Sequence, residues 1–412
     1  MIKISPQRIV VKRNRMLALM IHYILKTAFI TCRLINGNLI HKRENLNLSK
    51  IKKILVIRTD GLGDVVMSTP AFRALREFFP YSNITLLTAS WSKELVETIP
   101  GFDEIIYFDA PWIVKKSKRK WIRLFETIKA LRRKYFDLAI DLRGDFRNNI
   151  VMYLCGIKCR MGFNITGCEF FLTHIVPCGE NHHPVNLMFS LIRYLNPEES
   201  KKYTLSLWIT EEDRRFANTL LTEHNLSDKH SVIVIHPGAK WSGRHWVPER
   251  YGQIADRLIK EYKAKVILAG GPADFGMTKQ ILSSMTQRPI MAGESSLRQF
   301  CALLEKSDLF IGADSGPMHM ATAMGTRVIA LFGPARPEAV GPYGDGHIIV
   351  TKQDNYSCSP CSQKVCKRPD YSCMEAITVE DAWKAVEIQM KRILAEKSLV
   401  TGRTVDSNLS EY

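Results

Sequence analysis

Short runs of β-branched and aliphatic residues recur along this chain, several of them running into a glycine-bearing turn and then a helical pattern. Ile54 to Arg58 reads ILVIR, Ser231 to His236 reads SVIVIH, and Leu309 to Gly312 reads LFIG. Such unbroken apolar runs suit strands of a parallel sheet covered on both faces. Strands alternating with helices predict a doubly wound α/β architecture. The first series has strands at 54–58, 84–88, 105–108 and 138–141, with a helix through Phe79 and another from Trp121 to Tyr135. The second has strands at 231–236, 265–270, 309–312 and 327–332, with helices at 251–262, 297–305, 318–324 and 379–394. The predicted fold is two Rossmann-like domains facing a central cleft. The expected divisions are an N-terminal extension over 1–50, a first domain over 51–203, a second over 204–396 and a polar tail over 397–412. Ligands of such sheets bind beyond the carboxyl ends of the strands.

Charge separates the extension from the rest. The chain has 412 residues and a net charge of +17. Residues 1 to 53 hold twelve Lys/Arg against Glu44, and residues 115 to 134 hold ten against Glu126. These two patches outweigh the whole net charge and suit an anionic partner. The apolar segment Met16 to Thr31 is interrupted by His22 and Lys26 and is short for a spanning helix. No small-residue cleavage site follows convincingly, so a signal peptide is disfavoured. A basic helix lying in the headgroup layer fits better. The basic runs lack an interleaved aromatic stacking platform, which disfavours nucleic acid.

Three loops concentrate chemistry. In RTDGLGD, Gly61 and Gly63 permit tight turning, but the third glycine of a dinucleotide fingerprint is missing, as is a phosphate-loop Lys. Asp64 stands at a helix start, where it serves either the helix dipole or a general base. In HPGAKWSGRHW, Lys240 and Arg244 offer cations for a phosphate. In GADSGPMHM, Asp314, Ser315 and Gly316 precede a helix opened by Pro317, with His319 one turn in; helix starts bind phosphate, and capping alone would also explain Asp314 and Ser315.

Together these loops resemble glycosyltransferase family 9, the ADP-heptose:lipopolysaccharide heptosyltransferases, over roughly residues 52 to 395. The similarity rests on RTDGLGDVVMSTPAFRAL, HPGAKWSGRHWVPERY, VILAGGPAD and DLFIGADSGPMHMATAMGTRVIALFGPARPE. The resemblance implies the type B glycosyltransferase fold, an inverting reaction, and no cofactor or catalytic metal. It assigns Asp64 as base, and Arg244, Asp314, Ser315, Gly316 and His319 to the donor, with Asp274 near the donor ribose. Arg143 and Arg147, after LAIDLRG, become candidates for an acceptor phosphate or carboxylate. The implied partners are a nucleotide-sugar donor and a phosphorylated glycolipid acceptor at the inner face of the cytoplasmic membrane, with the protein cytoplasmic and peripherally attached. The long basic N-terminus departs from many members. A nucleotide-sugar epimerase of the same fold, and a non-catalytic membrane-surface sugar-nucleotide binder, are the alternatives.

Cys358, Cys361, Cys366 and Cys373 form a separate cluster with spacing C-x2-C-x4-C-x6-C. The opening pair suits a metal, so the expectation is a structural zinc clip, with four unligated thiols as the alternative.

Overall fold

A computed structural model describes Thr27 and residues 47–113, 118–178, 183–199, 201–227, 229–361, 364–368 and 372–401. Nearly all of the expected apolar segment at 16–31, and the end of the polar tail, lie outside the described residues. No helix among the described residues is long and apolar enough to cross a membrane. The chain divides into two compact units, Met1–Thr204 and Leu205–Tyr412.

The first unit carries six parallel strands: β1 (Lys53–Arg58), β2 (Asn83–Thr88), β3 (Glu104–Tyr107), β4 (Leu138–Asp141), β5 (Cys159–Phe163) and β6 (His174–Val176). Their order is β3-β2-β1-β4-β5-β6. Ile54, Leu55, Val56 and Ile57 have no exposed surface, as a strand covered on both faces requires. Helices α1 (Leu62–Phe78), α2 (Lys118–Arg132), α3 (Phe146–Leu154) and α4 (Pro184–Leu195) accompany the sheet. Leu55, Ile57 and Ala139 of the strands pack in one core with Leu124 and Leu131 of α2 and Val151 and Met152 of α3.

Helix α1 contains Pro70, which cannot donate to the carbonyl four residues back. The Thr69 hydroxyl donates to that carbonyl, Val66 O, at 2.8 Å. A local substitute thus lets the helix run on past its proline and reach Phe78.

The second unit has β7 (Val232–His236), β8 (Lys265–Leu268), β9 (Ile290–Met291), β10 (Leu309–Ala313), β11 (Arg327–Phe332) and β12 (Ile348–Thr351). Its order, β12-β11-β10-β7-β8-β9, repeats the first topology. Its helices are α5 (Glu211–Glu223), α6 (Pro248–Tyr262), α7 (Phe275–Ser284), α8 (Leu297–Glu305), α9 (Gly316–Ala323) and α10 (Val379–Thr401). Trp246, Tyr251 and Trp383 anchor the core beside the strands. The Trp246 indole N–H donates to Ile377 O at 2.8 Å, fixing the approach to α10.

In each unit the strand order reverses between the first and fourth strands. Ile57 of β1 pairs with Asp141 of β4, and His236 of β7 pairs with Gly312 of β10. The loops leaving those strands therefore flank the crevice where α/β sheets hold ligands.

Candidate active site

The two reversal points carry different chemistry. In the first unit, Gly61 is the N-cap of α1 and Asp64 its third residue. The Asp64 carboxylate accepts from Gly61 N at 3.0 Å, and its other oxygen lies 3.4 Å from Arg58 Nη2. The side chain still keeps 40% of its surface exposed, so its carboxylate remains accessible from solvent. Gly61 has φ −73°, so no turn demands glycine there. A Cβ would stand 2.9 Å from Asp64 Oδ2, and that close approach is what glycine permits. Gly63 belongs to the first turn of α1 rather than to the loop, which corrects the expectation of two loop glycines.

Arg58 is buried and binds across the crevice. Nη1 donates to Leu142 O at 2.9 Å and Nε to Asp64 O at 3.1 Å. Asp60 Oδ1 is 3.2 Å from the same Nε without an aligned hydrogen bond, because that N–H points to Asp64 O. Burial pushes the Asp60 carboxyl up to about 6; Arg58 opposes that rise, Asp64 adds to it and Arg143 opposes it.

Asp141, the buried last residue of β4, organises the facing loop. It accepts from Arg143 N, Asp145 N and Asn148 Nδ2 at 3.2, 2.9 and 2.8 Å. Burial lifts its carboxyl to about 6. Arg143 Nε lies 3.6 Å from Asp60 and 3.5 Å from Asp145, while Arg147 grips Asp145 with Nε at 2.8 Å and Nη2 at 2.5 Å. Burial works to raise Asp145, but Arg147 and Arg143 hold it below the usual range. Both expected acceptor-binding arginines are thus already paired with carboxylates. Arg143 nevertheless keeps one buried group, Nη1, without a hydrogen-bond partner. Sequence reasoning found the arginines and missed Arg58, Asp60, Asp141 and Asp145. The recurring acids of RTDGLGD and DLRGD were the available signal.

In the second unit the loops after β7, β8 and β10 meet. Arg244 Nη1 is 2.9 Å from Asp314 Oδ2, so this cation is held by the loop that follows β10. Ser315 is the N-cap residue of α9, yet its side chain makes no capping hydrogen bond, and its hydroxyl is buried without a partner. Capping alone therefore does not explain Ser315. Gly316 opens the helix, and His319 is buried in it. Gly312 has no room for a side chain: a Cβ would stand 2.8 Å from His236 O.

Asp274 reaches the same edge. Its carboxylate accepts from Gly271 N at 3.0 Å and lies 3.6 Å from His236 Nε2. A Cβ on Gly238 would fall 2.2 Å from Asp274 Oδ1, so the β7 loop admits this acid only because position 238 is glycine. Burial lowers the His236 pKa, and Asp274 partly opposes that. Lys240 is exposed, with Nζ 5.4 Å from the Trp241 ring centroid, and Lys364 Nζ is 4.2 Å from it. Gly243 N and Ser242 Oγ donate to Lys364 O at 3.0 and 3.3 Å, which ties the cysteine-bearing segment to this loop.

A buried serine hydroxyl without a partner thus stands at a helix start, next in sequence to the aspartate that holds Arg244, in the second of two like-wound sheets. Residues 124–372 match the model of glycosyltransferase family 9 (heptosyltransferase), more than half of the chain. The chain belongs to glycosyltransferase family 9. The chain is 23% identical to the lipopolysaccharide core heptosyltransferase OpsX of Haemophilus influenzae, over 84% of this chain and 96% of that one. It is 26% identical to lipopolysaccharide heptosyltransferase 2 of Escherichia coli, over 70% and 85%. Among solved structures, a family 9 glycosyltransferase from Veillonella parvula matches with TM-score 0.70 and 26% identity, over 83% and 97%. Escherichia coli ADP-heptose lps heptosyltransferase II matches with TM-score 0.66 and 21% identity, over 84% and 99%. As a family 9 member the chain is a glycosyltransferase, and its two Rossmann-like units are those of the type B fold.

The cysteines remain apart from this machinery. Burial pushes the Cys373 thiol up to about 11, with Cys361, Cys366 and Cys358 adding to the rise, so the four stand within electrostatic reach. Among the described residues, no group of three or more His, Cys, Asp or Glu is placed to hold a metal ion.

Proposed function

We propose that this enzyme moves a heptose or related sugar from a nucleotide-diphosphate donor, ADP-heptose, to a hydroxyl of the lipopolysaccharide core or a similar lipid-linked acceptor. The buried, unpartnered Ser315 hydroxyl at the start of α9, with Arg244 beside it, carries the reading. A diphosphate would take the serine O–H and the free N–H groups of the helix start, and would draw Arg244 from Asp314. Lys240 adds a second cation. Asp274 and His319 would address the rest of the donor.

The first unit supplies the proton chemistry. Asp64 accepts the proton of the acceptor hydroxyl as the oxygen attacks the anomeric carbon. The bond to the diphosphate breaks on the opposite face, so the configuration inverts. The departing negative charge is met by Arg244, Lys240 and the α9 amides, and no step calls for a metal. Arg143, through its unpartnered Nη1, and Arg147 would receive an acceptor phosphate or carboxylate. The proposed location is the cytoplasmic face of the inner membrane, with peripheral attachment.

Nucleotide sugars would be screened for thermal stabilisation of the purified protein, since a ligand of the native state raises its melting temperature. ADP-heptose should stabilise the wild type but not Ser315→Ala/Arg244→Ala. Equal stabilisation of both would sink the donor assignment. The Cys358–Cys373 segment is proposed as a structural clip on the Lys364 contact. Metal analysis of anaerobically purified protein finding neither zinc nor iron would remove the metal from that proposal.

A further inference from the structure

The second basic run forms α2, and α2 is not an ordinary solvated helix. Leu124 and Leu131 are 8% and 0% exposed and face the core with Ile128. Trp121, Ile122 and Phe125 are 54%, 58% and 67% exposed. At 3.6 residues per turn these three fall within about 100° of arc, next to the buried stripe. Lys129 and Arg132 project in the same arc. Both are exposed, and no carboxylate pairs with either among the described residues. The helix therefore shows two apolar faces, one in the core and one outward, the second interleaved with cations. Trp121 and Phe125 are exposed rings within this basic run, which the expectation of no interleaved aromatic stacking platform did not weigh.

We infer that the outward face of α2 docks on an anionic lipid surface, with Trp121, Ile122 and Phe125 entering the headgroup boundary and Lys129 and Arg132 meeting lipid phosphates. Charge complementarity selects this partner: residues 115 to 134 hold ten Lys/Arg and one acid. Aromatic rings and cations on one helical face are the composition of an interfacial helix. Each cation near such a surface adds to the attraction, and the potential that draws it falls off within a Debye length. A single-stranded nucleic acid would use ring faces but gains nothing from Ile122, which offers none. The inference deepens the peripheral location proposed above and is independent of which sugar is transferred.

The test uses the full chain and vesicles of phosphatidylcholine with and without phosphatidylglycerol. The wild type should co-sediment with the anionic vesicles alone, less so at high salt. Trp121→Ser/Phe125→Ser should lose at least about tenfold in partitioning, given the apolar surface it removes. Its melting temperature, and its stabilisation by donor nucleotide, should match the wild type. Equal vesicle binding by wild type and variant sinks this assignment alone. Absence of wild-type binding to either vesicle sinks the peripheral location with it. Three further results would also overturn the inference: a lower melting temperature with vesicle binding intact, which places the patch against this chain's own N-terminal segment; loss of self-association only, which places it against a second copy; and displacement by an oligonucleotide but not by lipid.

Discussion

The two units wind their strands in the same order and differ almost entirely in what they place at the reversal point. The first gathers three guanidinium groups and four carboxylates, Arg58, Arg143 and Arg147 with Asp60, Asp64, Asp141 and Asp145, nearly all internally paired. The second holds fewer charges, with a bare serine hydroxyl and an open helix start. One topology thus presents two different sets of groups. A paired carboxylate network suits proton transfer, and donors without partners suit an anion. The loops, not the sheet, make the distinction.

That contrast can be broken first at Asp64. Asp64→Asn should lower kcat by about 10²–10⁴-fold, the usual contribution of a general base. Donor-induced thermal stabilisation should persist; near-normal turnover would mean the first unit does not supply the base. Arg244→Ala should act in the opposite unit and weaken both donor binding and kcat, the latter by about 10²–10³-fold. Arg244→Lys should recover part of the binding but not the bidentate contact. A variant whose nucleotide affinity is unchanged would remove Arg244 from the donor site.

Gly238→Ala probes the second unit more gently. It should push Asp274 away and lower nucleotide affinity about tenfold, in line with the roughly 1–3 kcal/mol of overpacking. Calorimetric titration of nucleotide would show it, and an unchanged Kd would mean Asp274 does not touch the donor.

Acid should act on Asp60 and His236, one in each unit, in opposite directions. The Asp60 carboxyl titrates near 6 in the folded chain against an ordinary 3.8. Its contribution to stability is therefore present at low pH and is lost as pH rises from about 4 through 6. His236 is depressed from 6.5, so its contribution is present above that value and is lost as pH falls. Melting curves at pH 5 and 7 should show Asp60→Asn gaining less from acidification than the wild type. Identical pH dependence would show that Asp60 is not strained by its burial. The smallest effect belongs to Thr69→Val, which leaves Val66 O without its substitute donor. Stability should fall by about 1–2 kcal/mol with nucleotide binding intact. A denaturant midpoint equal to the wild type's would show that water replaces the hydroxyl.

Much of this was legible along the chain because central strands of a parallel sheet advertise themselves. ILVIR and SVIVIH are buried on both faces and can be read without partners. β5 could not be read that way. Arg160, its second residue, is buried and satisfied by Ile157 O, Lys158 O and Phe171 O, so the strand has no apolar run. β12 differs: Ile348–Thr351 is a β-branched run, but it is only four residues long and partly exposed, and it was not read as a strand. The loop after β10 showed itself because glycines, a proline and a serine at a strand end have few other uses. The carboxylate network did not, since Arg58 reaches Leu142 and Arg143 reaches Asp60 across more than eighty positions. Local pattern carries no trace of such pairings.

The tie between the β7 loop and Lys364 has a thermodynamic consequence. A loop of glycine and serine ordinarily loses conformational entropy when it closes on a ligand. Here Ser242 and Gly243 are already fastened to Lys364 O, and Trp241 is already within reach of two ammonium groups. With this fastening already made, nucleotide binding should carry a smaller entropic penalty than closure of an untied loop. Cutting that fastening would loosen the loop and turn the same contacts into weaker affinity, without removing a single group that touches the donor.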